Sequence, residues 1–305
     1  MGTTKNTPAL KDNYAVVNGV RLHYVSAGKG RLIIFLHGFP EFWYEWKAQL
    51  AEFGQDHLAV APDMRGYNLS AKPEGVDRYQ MNYLMEDVRA LAAHLGYKKF
   101  TLVAHDWGGV VAWSLAATHP ECIEKLVIVN APHPDVFGRL LREDPGQQRA
   151  SQYMLMFRSP QAEATLSANN YAFLAQAVLG AGLKSGAFSE ADKQAYLAAW
   201  SQPGALTGGL NYYRAARIGP PAANEAAAAP PPAPQPGAVS AKIMVRVPTL
   251  VIWGEKDTAL LAQNLDGLEQ YVPALRIRRI PEGTHWVVHE KPDEVNRYIR
   301  EFIRK

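Results

Sequence analysis

Short apolar runs recur along the chain and alternate with segments whose apolar residues fall at helical spacing, which is the pattern of a largely parallel sheet covered on both faces by helices. Residues 32–36, 57–61, 101–104, 126–129 and 249–253 are apolar and rich in branched side chains, as strands buried on both faces must be. Residues 276–280, interrupted by Arg276, Arg278 and Arg279, are a weaker candidate for the last strand. Ahead of these, residues 14–17 and 21–25 flank Asn18-Gly19, a pair that readily takes the positive φ of a tight turn, so the chain is expected to open on a hairpin. Between strands, residues 81–95 place Leu84, Val88, Leu91 and Leu95 on one stripe, which predicts a helix docked on the sheet. The predicted class is α/β, with a mostly parallel central sheet and helices on both faces.

The alternation stops near Pro134. Residues 134–241 are rich in Ala, Gln, Tyr and Ser, contain helix-like stretches and offer no convincing strand. They are read as a helical cap inserted into a core made of residues 1–133 and 242–305. The cap ends in a Pro/Ala-rich run at 219–237, a composition that can bury little surface and suits an extended connector.

Length and composition narrow the function classes. A chain of 305 residues can bury a large core without disulfides or metals. A net charge of +3 is too small for a nucleic-acid footprint. Cys122 is the only cysteine, so no intramolecular disulfide can form, which fits a reducing compartment. The first residues lack the apolar run of a signal peptide, and no stretch is long and apolar enough to span a bilayer. A cytoplasmic protein with no membrane or nucleic-acid partner is expected, and a homo-oligomer remains open.

The richest chemistry lies at Val103-Ala104-His105-Asp106-Trp107-Gly108-Gly109, where an apolar strand runs into a small-residue turn and then a helix. That is the pattern of a nucleophile elbow, with Asp106 where serine more often stands; alone, the residue could equally be a helix N-cap. An aspartate nucleophile changes the reaction, because a carboxylate with an ordinary pKa of about 3.9 is ionised at neutral pH and attacks carbon without a base. The product is an ester, whose hydrolysis does need a base and an oxyanion hole. Leu36-His37-Gly38-Phe39-Pro40 follows the strand at 32–36, so the amides of Phe39 and Trp107 can form that hole. The Phe39-Pro40 bond is expected to be cis, and His37 is expected to be structural. Asp257, in the loop after 249–253, and His285, in Glu282-Gly283-Thr284-His285-Trp286, complete the order nucleophile, acid, histidine. His285 and His289 lie four apart beside Glu290, but without a third ligand or a cysteine cluster they do not read as a metal site. Gly28-Lys29-Gly30 lacks the third glycine of a nucleotide loop, so no cofactor is expected.

With these residues in hand, the chain resembles the epoxide hydrolases of the α/β-hydrolase superfamily over nearly its whole length. His37-Gly38-Phe39-Pro40-Glu41, Pro62-Asp63-Met64-Arg65-Gly66-Tyr67 and His105-Asp106-Trp107-Gly108-Gly109 look like family motifs. The resemblance implies two cap tyrosines directed at the epoxide oxygen, and Tyr153 and Tyr213 stand in the segments that look like theirs. Tyr212 adjoins Tyr213, and periodicity does not separate the two. A phenol suits the role, since the opening ring leaves as an alkoxide that must be hydrogen-bonded and then protonated. The core motifs are shared in part with haloalkane dehalogenases, which offer two N–H donors to the halide. Here Trp107 supplies one, Phe39 stands where that family often has asparagine, and no second donor is evident. Fluoroacetate dehalogenases carry an arginine where this chain has Trp107. Some relatives place the acid after the preceding strand, near Asn130, which leaves Asp257 as the choice here. The implied reaction is conversion of an epoxide and water to a vicinal diol through an ester on Asp106, with a dehalogenase using the same aspartate as the alternative. Phe39, Trp107, Phe42 and Phe157 are the expected pocket lining.

Overall fold

The computed structural model describes residues 8–221 and 242–304. Eight strands form one sheet in the order β1-β2-β4-β3-β5-β6-β7-β8: β1 Lys11–Val17, β2 Val20–Gly28, β3 Leu32–Leu36, β4 Leu58–Pro62, β5 Phe100–His105, β6 Ile123–Val129, β7 Thr249–Gly254 and β8 Leu275–Ile280. β1 pairs antiparallel with β2 and β2 antiparallel with β4, while the remaining pairs are parallel. The hairpin turns at Asn18 and Gly19, both at positive φ.

The central strands are apolar throughout because alternate residues serve two cores. Ile34, Leu36, Leu102, Ala104, Leu126, Ile128 and Val251 enter one apolar cluster. Their neighbours Ile33, Phe35, Val103, Val127, Leu250 and Ile252 enter the other. This is the period-two geometry of a strand applied to a sheet buried on both sides. Helices α1 (Lys47–Phe53) and α11 (Pro292–Ile303) close one face with Leu50, Phe53, Val295 and Ile299. Helices α2 (Met81–His94) and α3 (Asp106–Thr118) close the other with Leu84, Val88, Leu91, Val111 and Leu115. β8 is an edge strand, so Arg276, Arg278 and Arg279 reach solvent, which is why its apolar signal is faint.

Between β6 and β7 come α4 (Pro134–Glu143), α5 (Pro145–Ala150), α6 (Tyr153–Arg158), α7 (Ala162–Ser185), α8 (Glu190–Trp200) and α9 (Ala205–Ala216). From residue 222 on, the Pro/Ala-rich run at 219–237 lies outside the described residues. α7 is interrupted, with Ala168 extended and Asn169, Asn170 and Tyr171 left-handed. α8 is fastened to the loop after β3. Trp200 Nε1 donates to the Pro40 carbonyl at 2.6 Å, Tyr196 Oη donates to Glu41 Oε2 at 2.6 Å, and Asp192 accepts from Tyr44 Oη at 2.8 Å and pairs with Lys47. α9 comes close because of Gly208: a Cβ there would lie 2.3 Å from the Gly66 carbonyl oxygen, so only glycine admits the approach. Among the described residues no helix is long and apolar enough to cross a membrane.

Candidate active site

Asp106 opens α3 at the end of β5 with φ +47°, a left-handed conformation that side-chain-bearing residues rarely adopt. Gly108 makes the turn feasible, since a Cβ there would sit 2.4 Å from the Leu36 carbonyl oxygen. The elbow therefore thrusts the carboxylate out beyond the strand ends, where the parallel sheet presents its loops. Phe39 N–H donates to Asp106 Oδ1 at 2.8 Å. The Trp107 amide lies in the first turn of α3, where amides lack an acceptor within the helix. The Phe39-Pro40 bond that shapes this loop is cis.

His285 comes from the loop after β8. Its Nδ1 lies 2.7 Å from Asp257 Oδ2, and its Nε2 faces Asp106 Oδ2 at 3.8 Å, too far for a direct hydrogen bond. Asp257 is buried, and its carboxylate accepts from the amides of Ala259 at 2.9 Å and Leu260 at 2.8 Å and from Asn130 Nδ2 at 2.8 Å. Asn130 thus sits at the end of β6 as a hydrogen-bond donor to the acid. Burial raises the Asp257 pKa, but the His285 charge and these hydrogen bonds outweigh it and hold the carboxyl below its usual range. For His285 burial acts downward and is overcome by Asp257 and then by Asp106, so its pKa is raised to about 9. The resting imidazole is therefore protonated at neutral pH, with Asp257 fixing its orientation.

A cavity of about 240 Å³ opens over Asp106, lined by Phe39, Tyr153, Phe157, Tyr213 and His285, with the α7 residues Phe173, Leu174, Ala177 and Val178 forming one apolar wall. The tyrosines come from α6 and α9, their ring centroids 6.5 Å apart. Burial, then the charge of Asp106, pushes both phenols well above their ordinary pKa, so both remain donors. Tyr212 faces the other way, its hydroxyl donating to the Arg65 carbonyl at 2.9 Å, and it does not line this cavity. Geometry thus separates the neighbours that periodicity left together.

Phe39 and Phe157 line the cavity, edge to face at 5.1 Å. Trp107 does not line it but meets the Tyr213 ring edge-on at 5.0 Å. Phe42 does not line it either: it stacks on Tyr44 at 5.6 Å and meets Tyr196 of α8, because the 3-10 turn that begins after it directs the ring toward the insertion. The α7 wall escaped the sequence reading, since Leu174 and Val178 look like any core stripe. His37 donates from Nδ1 to the Gly38 carbonyl at 2.9 Å and accepts the Met64 amide on Nε2 at 3.0 Å, a structural bridge. His289 pairs with Glu41 at 3.0 Å, and Glu290 accepts from the Thr284 amide and hydroxyl at the base of the His285 loop. Among the described residues no group of three or more His, Cys, Asp or Glu could hold a metal.

The family model of the α/β hydrolase fold matches residues 31–292. The chain is 39% identical over 97% of its length to the AB hydrolase superfamily protein YfhM of Bacillus subtilis, covering 98% of that protein. It is 36% identical over 94% of its length to Epoxide hydrolase 4 of Mus musculus, covering 77% of it. Among solved structures it resembles the epoxide hydrolase of Bacillus megaterium in complex with an inhibitor, at a TM-score of 0.85 and 38% identity over 96% of this chain and 100% of that one.

Proposed function

Because the chain belongs to the epoxide hydrolases of the α/β-hydrolase fold, we propose that it converts a small-molecule epoxide and water to a vicinal diol at the Asp106 cavity. One observation carries the assignment of residues: a single cavity is lined by a carboxylate on an elbow, two phenols and a histidine that is paired with Asp257. The helices from α4 to α9 act as the cap that supplies the phenols. A carboxylate attacks carbon without prior deprotonation, so the first step needs Asp106 in place and a donor for the departing oxygen. An Asp106 oxygen bonds to one epoxide carbon, that C–O bond breaks, and Tyr153 and Tyr213 hydrogen-bond the alkoxide and give it a proton. The second step breaks the ester. Water adds to the Asp106 carboxyl carbon, His285 takes the water proton while Asp257 holds the ring, and the Phe39 and Trp107 amides receive the developing oxyanion. The tetrahedral intermediate collapses with cleavage of the bond between the carboxyl carbon and the diol oxygen; that oxygen takes the proton of the added hydroxyl, which restores the Asp106 carboxylate, and the proton held by His285 returns to the phenolate left by the first step. The Phe39 amide is already 2.8 Å from the oxygen concerned.

His285 also explains the order of events. Its raised pKa owes part of its shift to the Asp106 charge, and ester formation removes that charge. Ester formation thus shifts the base toward its neutral form when there is an ester to hydrolyse. The reaction calls for no cofactor, nucleic acid or membrane. A chain with one cysteine is suited to the reducing cytoplasm, where we place it.

The test is intact-protein mass spectrometry of a His285→Gln variant mixed with styrene oxide. The expected result is an adduct of the whole epoxide mapped to Asp106. No adduct with several epoxides, together with an alkylated Asp106 after exposure to a haloalkane, would replace this reading with a dehalogenase.

A further inference from the structure

Glu45 is a carboxyl group that the reaction above does not use. It lies in the 3-10 turn Trp43–Trp46 and is 1% exposed. Its Oε1 is 2.5 Å from Nδ1 of His105, which is itself fully buried. Close as they are, the two atoms do not meet hydrogen-bond geometry, and Glu45 Oε1, Glu45 Oε2 and His105 Nδ1 all lack a hydrogen-bond partner among the described residues. The opposite ring nitrogen, Nε2, is 2.9 Å from the main-chain oxygen of His285. A carbonyl only accepts, so Nε2 carries a proton, and in a neutral ring Nδ1 is then a lone pair in need of a donor. Glu45 is the group within reach of it.

We propose that Glu45 is a positioning residue for His285: it shares a hydrogen with Nδ1 of His105 and so holds Nε2 as the donor to the His285 carbonyl. This rests on the role given above to His285 as the base. The surrounding charges favour a proton on Glu45. Glu41 faces it from the loop after β3, His105 and Asp106 from the β5–α3 junction, and His285 and His289 from the C-terminal loop and α10 (Val287–Glu290). Burial, then the charges of Glu41 and Asp106, lifts its pKa well above the carboxylate range, against the opposing effect of the two histidines. His105 is driven down to about 3, by burial first and then by the His285 charge. An ionised Glu45 would set lone pair against lone pair beside the Glu41 carboxylate, whereas a carboxylic acid closes the chain from Glu45 through His105 to the His285 backbone. The His105 and His285 rings pack at 4.6 Å, so the chain runs directly behind the base. His285 is then fixed at two points, its Nδ1 by Asp257 and its main chain by His105.

Two substitutions separate hydrogen donation from mere bulk. Glu45→Gln keeps a donor of similar shape, and Glu45→Leu removes it. In single turnovers with styrene oxide, quenched-flow mass spectrometry gives the rates of ester formation and ester loss separately. Glu45→Gln is expected within about threefold of wild type in both, while Glu45→Leu slows ester loss about tenfold or more and leaves ester formation within about threefold, as misplacement of a base predicts. A second readout is stability. A buried acid with a raised pKa loses stability as pH rises from the ordinary carboxylate range through that pKa, so the melting temperature of wild type should fall relative to Glu45→Gln as pH rises above the ordinary carboxylate range. Wild-type ester loss in Glu45→Leu, or an equal fall of both steps in both variants, overturns the proposal. Absence of any Asp106 ester in wild type and in His285→Gln is a separate result, refuting the nucleophile assignment and this inference with it.

Discussion

If Asp106 holds His285 protonated and ester formation releases it, the two half-reactions must differ in their pH dependence. The His285 Nε2 to Asp106 Oδ2 distance is 3.8 Å. At that separation unit charges interact by about 4 kcal/mol at an effective dielectric of 20 and about 1 kcal/mol at the value of water. Dividing by about 1.4 kcal/mol per pKa unit gives a shift of about 1 to 3 units. Removing the Asp106 charge therefore lowers the His285 pKa from about 9 to between about 6 and 8. At pH 7 a base with a pKa of 9 is neutral in about 1% of molecules and one with a pKa of 7 in about half, so the release accelerates ester hydrolysis roughly fiftyfold. Single-turnover quenched-flow measurements from pH 5 to 10 resolve the two steps. Ester loss is expected to rise with pH and level off through an apparent pKa between about 6 and 8, while direct titration of His285 in the resting enzyme, by NMR of its ring, should give a value near 9. An ester-loss profile whose midpoint coincides with the resting titration would refute the reasoning, because the Asp106 charge would then contribute nothing to holding the base in check.

Replacing Tyr153 or Tyr213 by Phe removes one donor to the alkoxide, and each is expected to slow ester formation by about a hundredfold or more while leaving ester loss much less affected; quenched-flow rates that fall in the second step instead would reverse the assignment. Tyr212→Phe should behave differently, since its hydroxyl serves the Arg65 carbonyl: a loss of about 1–3 kcal/mol in stability by urea denaturation, with ester formation unchanged, is the expected outcome. Gly208→Ala forces a Cβ to within 2.3 Å of the Gly66 oxygen, so α9 must move and take Tyr213 with it. The measurable result is slower ester formation, with a smaller effect on the second step than on the first.

The sheet was legible because its physics is local. Residues of β3, β5 and β7 are buried on both faces and read as unbroken apolar runs, whereas β8 reaches solvent through its arginines and reads weakly. The candidate triad was legible because its order along the chain and the small residues of the elbow are both written in sequence. The choice of Tyr213 over Tyr212 came from the family resemblance and not from periodicity, since both rings lie on one helix; in the structure Tyr213 lines the cavity while the Tyr212 hydroxyl turns to the Arg65 carbonyl. Phe42 was misplaced for a related reason: adjacency to Phe39 and Pro40 suggests a shared pocket, but the turn into the 3-10 segment sends its ring toward Tyr196. Glu45 gave no signal at all. A glutamate between Tyr44 and Trp46 looks like a solvated turn residue, and its burial follows only from the packing of that turn against β3, β4 and α10, which brings it to His105 at the end of β5.

These placements make the loop after β3 the common reference for the whole site. Phe39 directs its amide at the Asp106 carboxylate, Pro40 offers its carbonyl to Trp200 of α8, Glu41 binds Tyr196 and His289, and Glu45 meets His105 behind the base. Tyr213 rests edge-on against the Phe39 ring at 5.6 Å, so the same loop also seats one of the phenols. Each contact is short and buried, where a displacement of about an ångström costs far more than on a surface. A hydrolase with an aspartate nucleophile needs this coupling more than one with serine. In the proposed reaction the two steps use different partners, the phenols first and the histidine second, and both must address the same carboxyl group. Registering the insertion and the C-terminal loop against one segment lets the carboxyl stay fixed while the reaction passes from one set of partners to the other.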